Sequence, residues 1–282
     1  MLRNAITIDV EDWHHDAEGL GGRALAGVAP RVEANLRRLL DLLDGSSVHA
    51  TLFFLGEVAE RHPDLVREAA ARGHEIASHG YRHLPLSRLL RREFRDEVRR
   101  SLGLLRDLIG APVVGFRAPY FSIKAGVGWP VEILAQEGVV YDSSILPIDR
   151  APGLEVVSPR VPYRLPAGLW EIPVAVPRYL FWNVPLFGGF ALRALPIRFV
   201  ERRLVEFNRS FGPAVLHLHP WEIDVEGPEV ETLSPLVRSL KRVGRGGLER
   251  KLQRLLAEYS FGSIAEAFPD SALGDLRRKP TT

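Results

Sequence analysis

The feature that most constrains the fold is an alternation. Short apolar segments of strand character trade places with amphipathic helical segments, and the strands run into clusters of polar, chemistry-bearing residues. Asn4 to Val10 reads as a first strand and delivers Asp9-Val10-Glu11-Asp12. Arg31 to Leu43 carries apolar residues at helical spacing behind Pro30, a residue suited to a helix start. Ala50 to Leu55 is a buried strand, and Glu57 to Arg72 a helix stopped by Gly73. Glu75 to Ala77 is a short strand that leads into Ser78-His79-Gly80-Tyr81-Arg82-His83. A long amphipathic helix over Arg92 to Ile109 ends at Gly110, and a strand over Pro112 to Phe116 delivers Arg117-Ala118-Pro119-Tyr120. A helix over Trp129 to Glu137 and a strand over Val139 to Tyr141 follow, the strand reaching Asp142-Ser143-Ser144. Such alternation predicts an α/β layout with a largely parallel sheet. Polar clusters at the C-terminal ends of strands mark the face on which β/α barrels build their sites.

From residue 147 to 196 the texture turns rich in proline, glycine and aromatic residues, with Glu171-Ile172-Pro173-Val174 as one expected strand. The segment is too apolar for a disordered linker and reads as an inserted loop region over a barrel mouth. Ile197 to Phe211 is an expected helix and Ala214 to Leu218 a strand ending at His219; residues 222–268 read as a C-terminal helical extension with a helix over Leu248 to Glu258 and a last apolar segment at Phe261 to Phe268. Residues 1–268 are therefore expected to form a single domain, and 269–282 a frayed tail.

The chain has no cysteine, which excludes disulfides, thiolate metal sites and cysteine nucleophiles. No apolar run reaches the roughly 18 residues that span a bilayer. Ile6 to Val10 already reads as a buried strand, with no basic and apolar leader pattern before it, so a cytoplasmic protein is expected. Lysine stands at only four positions (Lys124, Lys241, Lys251 and Lys279), and the other 33 of the 37 basic residues are arginine. The basic segment Arg238 to Arg254 fits a phosphate or membrane-surface patch, although solvated helix faces commonly look the same. It lacks the interleaved aromatics of a nucleic-acid surface, so no nucleic-acid partner is expected.

The polar clusters have a common chemical logic. His79 and His83, at i and i+4, lie about one helical turn apart, so both imidazoles can reach one ion. A carboxylate from another strand completes a three-ligand site with an open position, the pattern of a catalytic metal. Asp9, Glu11 and Asp12 offer such carboxylates: one can bind the ion while another serves as general base. Arg117 can orient a catalytic carboxylate, and Pro119 can fix the Tyr120 backbone N–H as an oxyanion donor. Of His217 and His219, only one is expected to face the site easily. His219, at the strand end, is favoured as general acid and His217 as a core or supporting residue. His49, His62 and His74 have no comparable context; His14 and His15 are expected at the mouth.

Taken together, Asp9-Val10-Glu11-Asp12, His79-x-x-x-His83, Arg117-Ala118-Pro119-Tyr120 and Leu216-His217-Leu218-His219 resemble the polysaccharide deacetylase family (NodB homology, carbohydrate esterase family 4) over roughly residues 4 to 222. Asp-Val-Glu-Asp-Trp, Tyr141-Asp142-Ser143-Ser144, Gly188-Gly189-Phe190 and His219-Pro220-Trp221-Glu222 are similar to the subgroup associated with bacterial exopolysaccharide and exosortase loci. The resemblance implies a distorted seven-stranded (β/α) barrel with an elaborated loop region and C-terminal helices. It also implies one divalent ion, most plausibly Zn2+, with Co2+, Ni2+ or Mn2+ as alternatives. By that resemblance His79 and His83 hold the metal together with Glu11 or Asp12, Asp9 is the base, Arg117 orients it, the Tyr120 N–H holds the oxyanion and His219 is the acid. The implied reaction is removal of an N-acetyl group from an amino-sugar glycan or its lipid- or nucleotide-linked precursor. Hydrolysis of a cyclic ureide or formamide, and a silent carbohydrate-binding module, are the rival readings. Two departures stand out: the usual adjacent Asp-Asp is absent, and the family's tryptophan-containing fourth motif is only partly replaced by Asp142.

Overall fold

The computed structural model describes residues 2–15, 29–148, 158–179, 182–183, 185–228 and 233–269. The chain runs β1 (Asn4–Val10), α1 (Val32–Asp44), β2 (Thr51–Phe54), α2 (Gly56–Arg61), α3 (Pro63–Ala71), β3 (Glu75–Ser78), α4 (Arg91–Ile109), β4 (Gly115–Phe116), α5 (Gly128–Gln136) and β5 (Tyr141–Asp142). It continues through β6 (Tyr163–Arg164), β7 (Trp170–Glu171), β8 (Arg178–Tyr179), β9 (Trp182–Asn183), α6 (Gly189–Ala194), α7 (Ile197–Phe211) and β10 (Val215–Leu218). The last elements are α8 (Pro235–Arg242), α9 (Arg245–Glu258), β11 (Phe261–Gly262) and α10 (Ile264–Ala267). Of the expected tail over 269–282 all but residue 269, and parts of the loop region (149–157 among them), lie outside the described residues.

Seven strands in the order β10-β1-β2-β3-β4-β5-β7 pair in parallel, which is the strand count and direction expected. The sheet curls without closing as a ladder. β6 adds an antiparallel edge to β7, and β11 pairs with the first two residues of β1, before β2 takes up its register at Thr7. Beyond β7 the chain approaches β10 through Ala175 N–H to the Val215 carbonyl at 2.9 Å, and again where His217 N–H donates to the Phe187 carbonyl at 3.2 Å.

The period-two geometry of β1 divides its side chains between two cores. Ile6, Ile8 and Val10 point outward into the layer beneath the helices, where Leu36, Leu39 and Leu40 of α1 and Val98, Leu102 and Leu105 of α4 pack. Ala5 points into the lumen with Phe53, Tyr141, Ile172, Val215 and Ile264, the last from α10, which plugs the bottom of the curl. Thr7 and Asp9 continue the lumen face upward, and Glu11 continues it past the strand end. The sequence therefore places two carboxylates above an apolar floor.

Two expectations change. The helix over residues 57–72 is broken into α2 and α3 at His62, whose φ of −130° and ψ of 60° are not helical. Pro63 follows it, and a proline ring disfavours helical backbone in the residue before it. The strands expected over 112–116 and 139–141 shorten to Gly115–Phe116 and Tyr141–Asp142.

The lumen floor is closely filled at Gly115. A Cβ there would lie 2.2 Å from the Tyr141 hydroxyl, which donates to Glu75 Oε1 at 3.0 Å. Gly115→Ala is expected to lower unfolding free energy by about 1–3 kcal/mol, the usual cost of overpacking, and urea denaturation measures it.

Candidate active site

Asp9, Glu11, His79, His83, Arg117, Tyr120, His217 and His219 converge at the C-terminal end of the curled sheet, as the strand-end clusters predicted. Arg117 is fully buried at their centre. Its Nη1 donates to Asp9 Oδ1 at 2.6 Å and to Thr7 Oγ1 at 2.9 Å; its Nε and Nη2 donate to the Ser143 carbonyl and hydroxyl at 3.1 and 2.9 Å. The guanidinium carbon lies 4.2 Å from the Phe53 ring centre. Burial alone would raise the Asp9 carboxyl, but Arg117, with smaller help from the histidines, holds it below its ordinary value. Asp9 is thus an ionised carboxylate with one oxygen tied down, and its other oxygen stands 3.9 Å from His79 Nε2.

Both metal-candidate histidines have their Nδ1 atoms engaged. His79 Nδ1 donates to the Arg117 carbonyl at 2.9 Å. His83 Nδ1 donates to the Tyr120 hydroxyl at 2.8 Å, while that hydroxyl donates to the His15 carbonyl at 2.9 Å. These bonds fix the tautomer, turning the Nε2 lone pairs inward. Burial lowers His79 to about 4, so its ring is neutral near pH 7. Glu11 meets these rings: its Oε2 lies 2.7 Å from His83 Nε2 and is buried without a hydrogen-bond donor. Two lone-pair atoms at that separation require positive charge between them. A proton could serve one such contact, but three donor atoms of Glu11, His79 and His83 lie within 4.8 Å of one another, and a divalent cation serves all three. The residues present therefore fit a metal.

Of Glu11 and Asp12, only Glu11 faces the two histidines. Asp12 turns away from the histidines, and its carboxylate accepts from the backbone N–H groups of Trp13 (2.8 Å), Arg31 (2.7 Å) and Val32 (3.2 Å). Adjacent strand-end residues face opposite ways, so only one of the two can join the histidine cluster. Asp12 instead satisfies the start of α1.

His217 and His219 both face the lumen, contrary to the expectation that only one could do so easily. Their spacing of two keeps them on one side, with rings 5.7 Å apart edge to face. His217 is the deeper, level with Thr7, and burial lowers it to about 4. His219 Nε2 lies 3.7 Å from Glu11 Oε1, and its Nδ1 lies 3.3 Å from Glu222 Oε2. Burial works to lower His219, but the Glu222 hydrogen bond, with Glu11 second, raises it to about 9. His219 is accordingly protonated near pH 7, and His217 is a neutral ring beneath it. His14 and His15 stand at the end of β1. His15 is buried, with Nδ1 accepting from the Asp12 N–H at 2.9 Å.

Sequence reading gave no role to four contributors. Trp221 donates to Glu11 Oε1 at 3.1 Å and stacks on His219, with the rings 19° apart. A tryptophan thus stands at the site from a different place in the chain than the fourth motif would put it. Glu222 aligns His219 and is itself held by Arg193 Nε at 3.2 Å. Gly189 makes that alignment possible, because a Cβ there would fall 1.5 Å from Glu222 Oε2. The Tyr120 side chain, anticipated only for its backbone N–H, orients His83. Tyr120 and Phe121 adopt φ of 57° and 49°, a left-handed pair that costs energy outside glycine and is typical of functional turns.

Asp142, expected to stand in for the fourth motif, does not join this group. It lies in register with Glu171 on the neighbouring strand, fully buried, and accepts from the Ser144 hydroxyl at 2.5 Å. That hydroxyl accepts from the Ala118 N–H at 2.7 Å, and the Ile145 N–H donates to Glu171 Oε1 at 2.9 Å. Burial pushes Asp142 up to about 6 and Glu171 well above its ordinary value, so the two carboxyls hold a proton between them. Their role is to support the Arg117–Tyr120 loop from beneath.

The polysaccharide deacetylase profile matches residues 27–139, which hold His79, His83, Arg117 and Tyr120. A Bacillus cereus peptidoglycan-N-acetylglucosamine deacetylase is 31% identical over 118 residues, covering 38% of this chain and 43% of that protein. A solved Mycobacterium smegmatis protein assigned as a polysaccharide deacetylase superposes over 99% of this chain and 93% of its own, with a TM-score of 0.63 at 22% identity. The chain carries a polysaccharide deacetylase domain of the NodB type. A second profile, a domain of unknown function (DUF3473), matches residues 143–269, which hold His219, Trp221 and Glu222. The sheet runs unbroken through both matched stretches, and β1, with Asp9 and Glu11, lies in neither. A Bacillus anthracis pseudoenzyme of carbohydrate esterase family 4 has a related fold, with a TM-score of 0.51 at 15% identity over 94% of this chain and 64% of its own. The chain spans less than half the length of the curated relatives it matches.

Glu11→Gln is expected to abolish stoichiometric binding of added Zn2+, read by elemental analysis after gel filtration. Asp12→Ala should keep the metal and lose about 1–2 kcal/mol of stability, the scale of a lost helix cap. Metal loss in Asp12→Ala alone would reverse the assignment.

Proposed function

We propose that this protein is a metal-dependent N-deacetylase acting on an N-acetylated amino-sugar glycan or glycan precursor in bacterial polysaccharide metabolism. The observation that carries this reading is the opposition of an Arg117-anchored carboxylate, Asp9, and a raised-pKa imidazole, His219, across the three inward-facing donors of Glu11, His79 and His83. The same metal-ligand, base and acid set is what the resemblance to the deacetylase family implied. The Bacillus cereus relative, named for a peptidoglycan N-acetylglucosamine substrate, supports the N-acetyl-hexosamine class.

A divalent ion in the Glu11, His79 and His83 cradle, proposed as zinc on its N/O donor set, would polarise the acetyl carbonyl and make water more acidic. The remaining chemistry belongs to the chain. Asp9, ionised and held in one orientation by Arg117, takes the proton from the attacking water. The Tyr120 backbone N–H is the proposed donor to the oxyanion, held by Pro119 and the left-handed turn. His219, protonated near pH 7 and oriented by Glu222 and Trp221, gives its proton to the departing amine.

The reading is tested by acetate release from a panel of N-acetylglucosamine oligomers, with hydantoin-type ureides and formamides as controls. Acetate release that is lost with a chelator and restored by Zn2+ is expected, and ureide turnover without acetate release would replace the reading. Asp9→Asn should retain metal while turnover falls by about two orders of magnitude or more. His219→Ala should lose turnover with a normal melting curve, and His217→Ala should chiefly lose stability. Activity that tracks His217 would move the acid role one step down the strand.

A further inference from the structure

The two histidines of the proposed metal site sit on a loop. Residues 79–85, between β3 and a 3-10 turn at Leu86–Arg88, form no helix. A helix would set the offset between residues four apart through its own hydrogen bonds. A loop leaves that offset to whatever grips it. The His79 and His83 rings nonetheless stand 5.4 Å apart and share the Glu11 carboxylate.

Two helices grip the loop, at different residues. The start of α2 takes Gly80 and Tyr81: the Gly56 and Glu57 N–H groups, which a helix start leaves without a partner of its own, donate to the two carbonyls at 2.9 and 3.0 Å. Tyr81 lies over Gly56, where a Cβ would fall 2.3 Å from Cδ2 of its ring, and its hydroxyl donates to Glu60. Helix α4 takes Arg82, the residue before His83. Glu97, on the buried face of α4 with Phe94, Val98 and Ser101, is 8% exposed. Its Oε2 accepts the Arg82 backbone N–H at 2.7 Å, and its Oε1 accepts Arg82 Nε at 2.6 Å.

We propose that Glu97 is a positioning residue for the metal site, clamping Arg82 so that His83 stands at ligand distance. An exposed ion pair contributes little, and the Arg82 side chain is half exposed. Glu97 differs: its carboxylate is buried, and one of its two bonds is to backbone. A buried carboxylate needs both a counter-charge and hydrogen-bond donors. Arg82 supplies both, from main chain and side chain together, so the clamp fixes a backbone position as well as a charge. A shift at Arg82 would move the backbone of His83, whose ring is aimed separately by Tyr120. Groups that hold ligands in place govern metal affinity although they never touch the ion. The inference rests on the reading of Glu11, His79 and His83 as a metal site and on no other part of the proposed function.

Two measurements on the full chain test it: Zn2+ affinity by competition with a chromophoric chelator, and the visible absorption of the Co2+-loaded protein. Glu97→Ala is expected to weaken Zn2+ binding by about tenfold or more and to alter the Co2+ absorption. Glu97→Gln keeps one acceptor for the two Arg82 donors, and its affinity should lie between those of the alanine variant and the parent. Glu137→Ala controls for a general loosening of α4. It removes the acceptor of Arg99, on the same helix, at 2.8 and 3.1 Å, and should bind Zn2+ like the parent. Parental affinity in Glu97→Ala, or in Glu97→Gln should the alanine variant not fold, overturns the proposal and leaves the metal reading standing. So does a loss in Glu137→Ala as large as that in Glu97→Ala. A parent chain that binds neither Zn2+ nor Co2+ overturns the metal reading and the clamp with it.

Discussion

The buried guanidinium of Arg117 is the constraint on which the rest of the site depends. An arginine without solvent exposure must spend its donors inside the protein, and a charge in that position needs a counter-charge. Asp9 supplies the counter-charge from β1, Thr7 and Ser143 take further donors, and Phe53 lies beneath the plane. One side chain thereby ties together β1, β2 and the end of β5, and its own backbone carbonyl sets the tautomer of His79. Removing one partner of such a pair leaves an uncompensated buried charge at a cost of about 3–5 kcal/mol. Asp9, the Glu11–His79–His83 cluster and the lumen geometry are consequently one mechanical unit.

Much of this was legible in the sequence, for identifiable reasons. β1 and α7 run over the residues that hydrophobic periodicity assigned, because a doubly buried strand and a strongly amphipathic helix leave little ambiguity. The i, i+4 histidines and the strand-end clusters located the site because both follow from local geometry. What failed was non-local or subtle. The break at His62 needed the steric effect of Pro63 to outweigh an otherwise continuous helical pattern. The choice between Glu11 and Asp12 depended on which face of β1 looks inward, and that is decided by the whole curl. Glu222 and Trp221 could not be assigned roles because their partners, Arg193 and Glu11, lie 29 and 210 residues away in the chain. The pair Gly188-Gly189 was visible as a motif; its reason, the carboxylate that occupies the space of a missing Cβ, was not.

The two halves of the candidate site come from different stretches of chain. His79, His83 and Arg117 sit in the stretch that matches the deacetylase profile, and His219 with Glu222 and Trp221 sits in the stretch that matches a domain of unknown function. β1 lies between β10 and β2 and stitches them together, placing Asp9 and Glu11 where both halves can use them. Departure from the family's usual adjacent carboxylates follows from this arrangement. Spacing the two acids by one residue keeps both on the lumen side of a single strand, while the carboxylate between strand and helix is released for capping α1.

The Asp142–Glu171 pair gives the molecule a proton inventory that differs between its two states. Unfolded, both carboxyls ionise in the ordinary range near pH 4; folded, Asp142 holds on to about pH 6 and Glu171 well beyond its usual value. Chain collapse near neutrality therefore consumes hydrogen ions from the medium. A group whose folded-state pKa is raised lends its stabilisation at low pH and forfeits it as pH climbs from the unfolded value through the folded one. Alkaline conditions thus load the floor beneath the Arg117–Tyr120 loop with a second negative charge that has no water to relieve it.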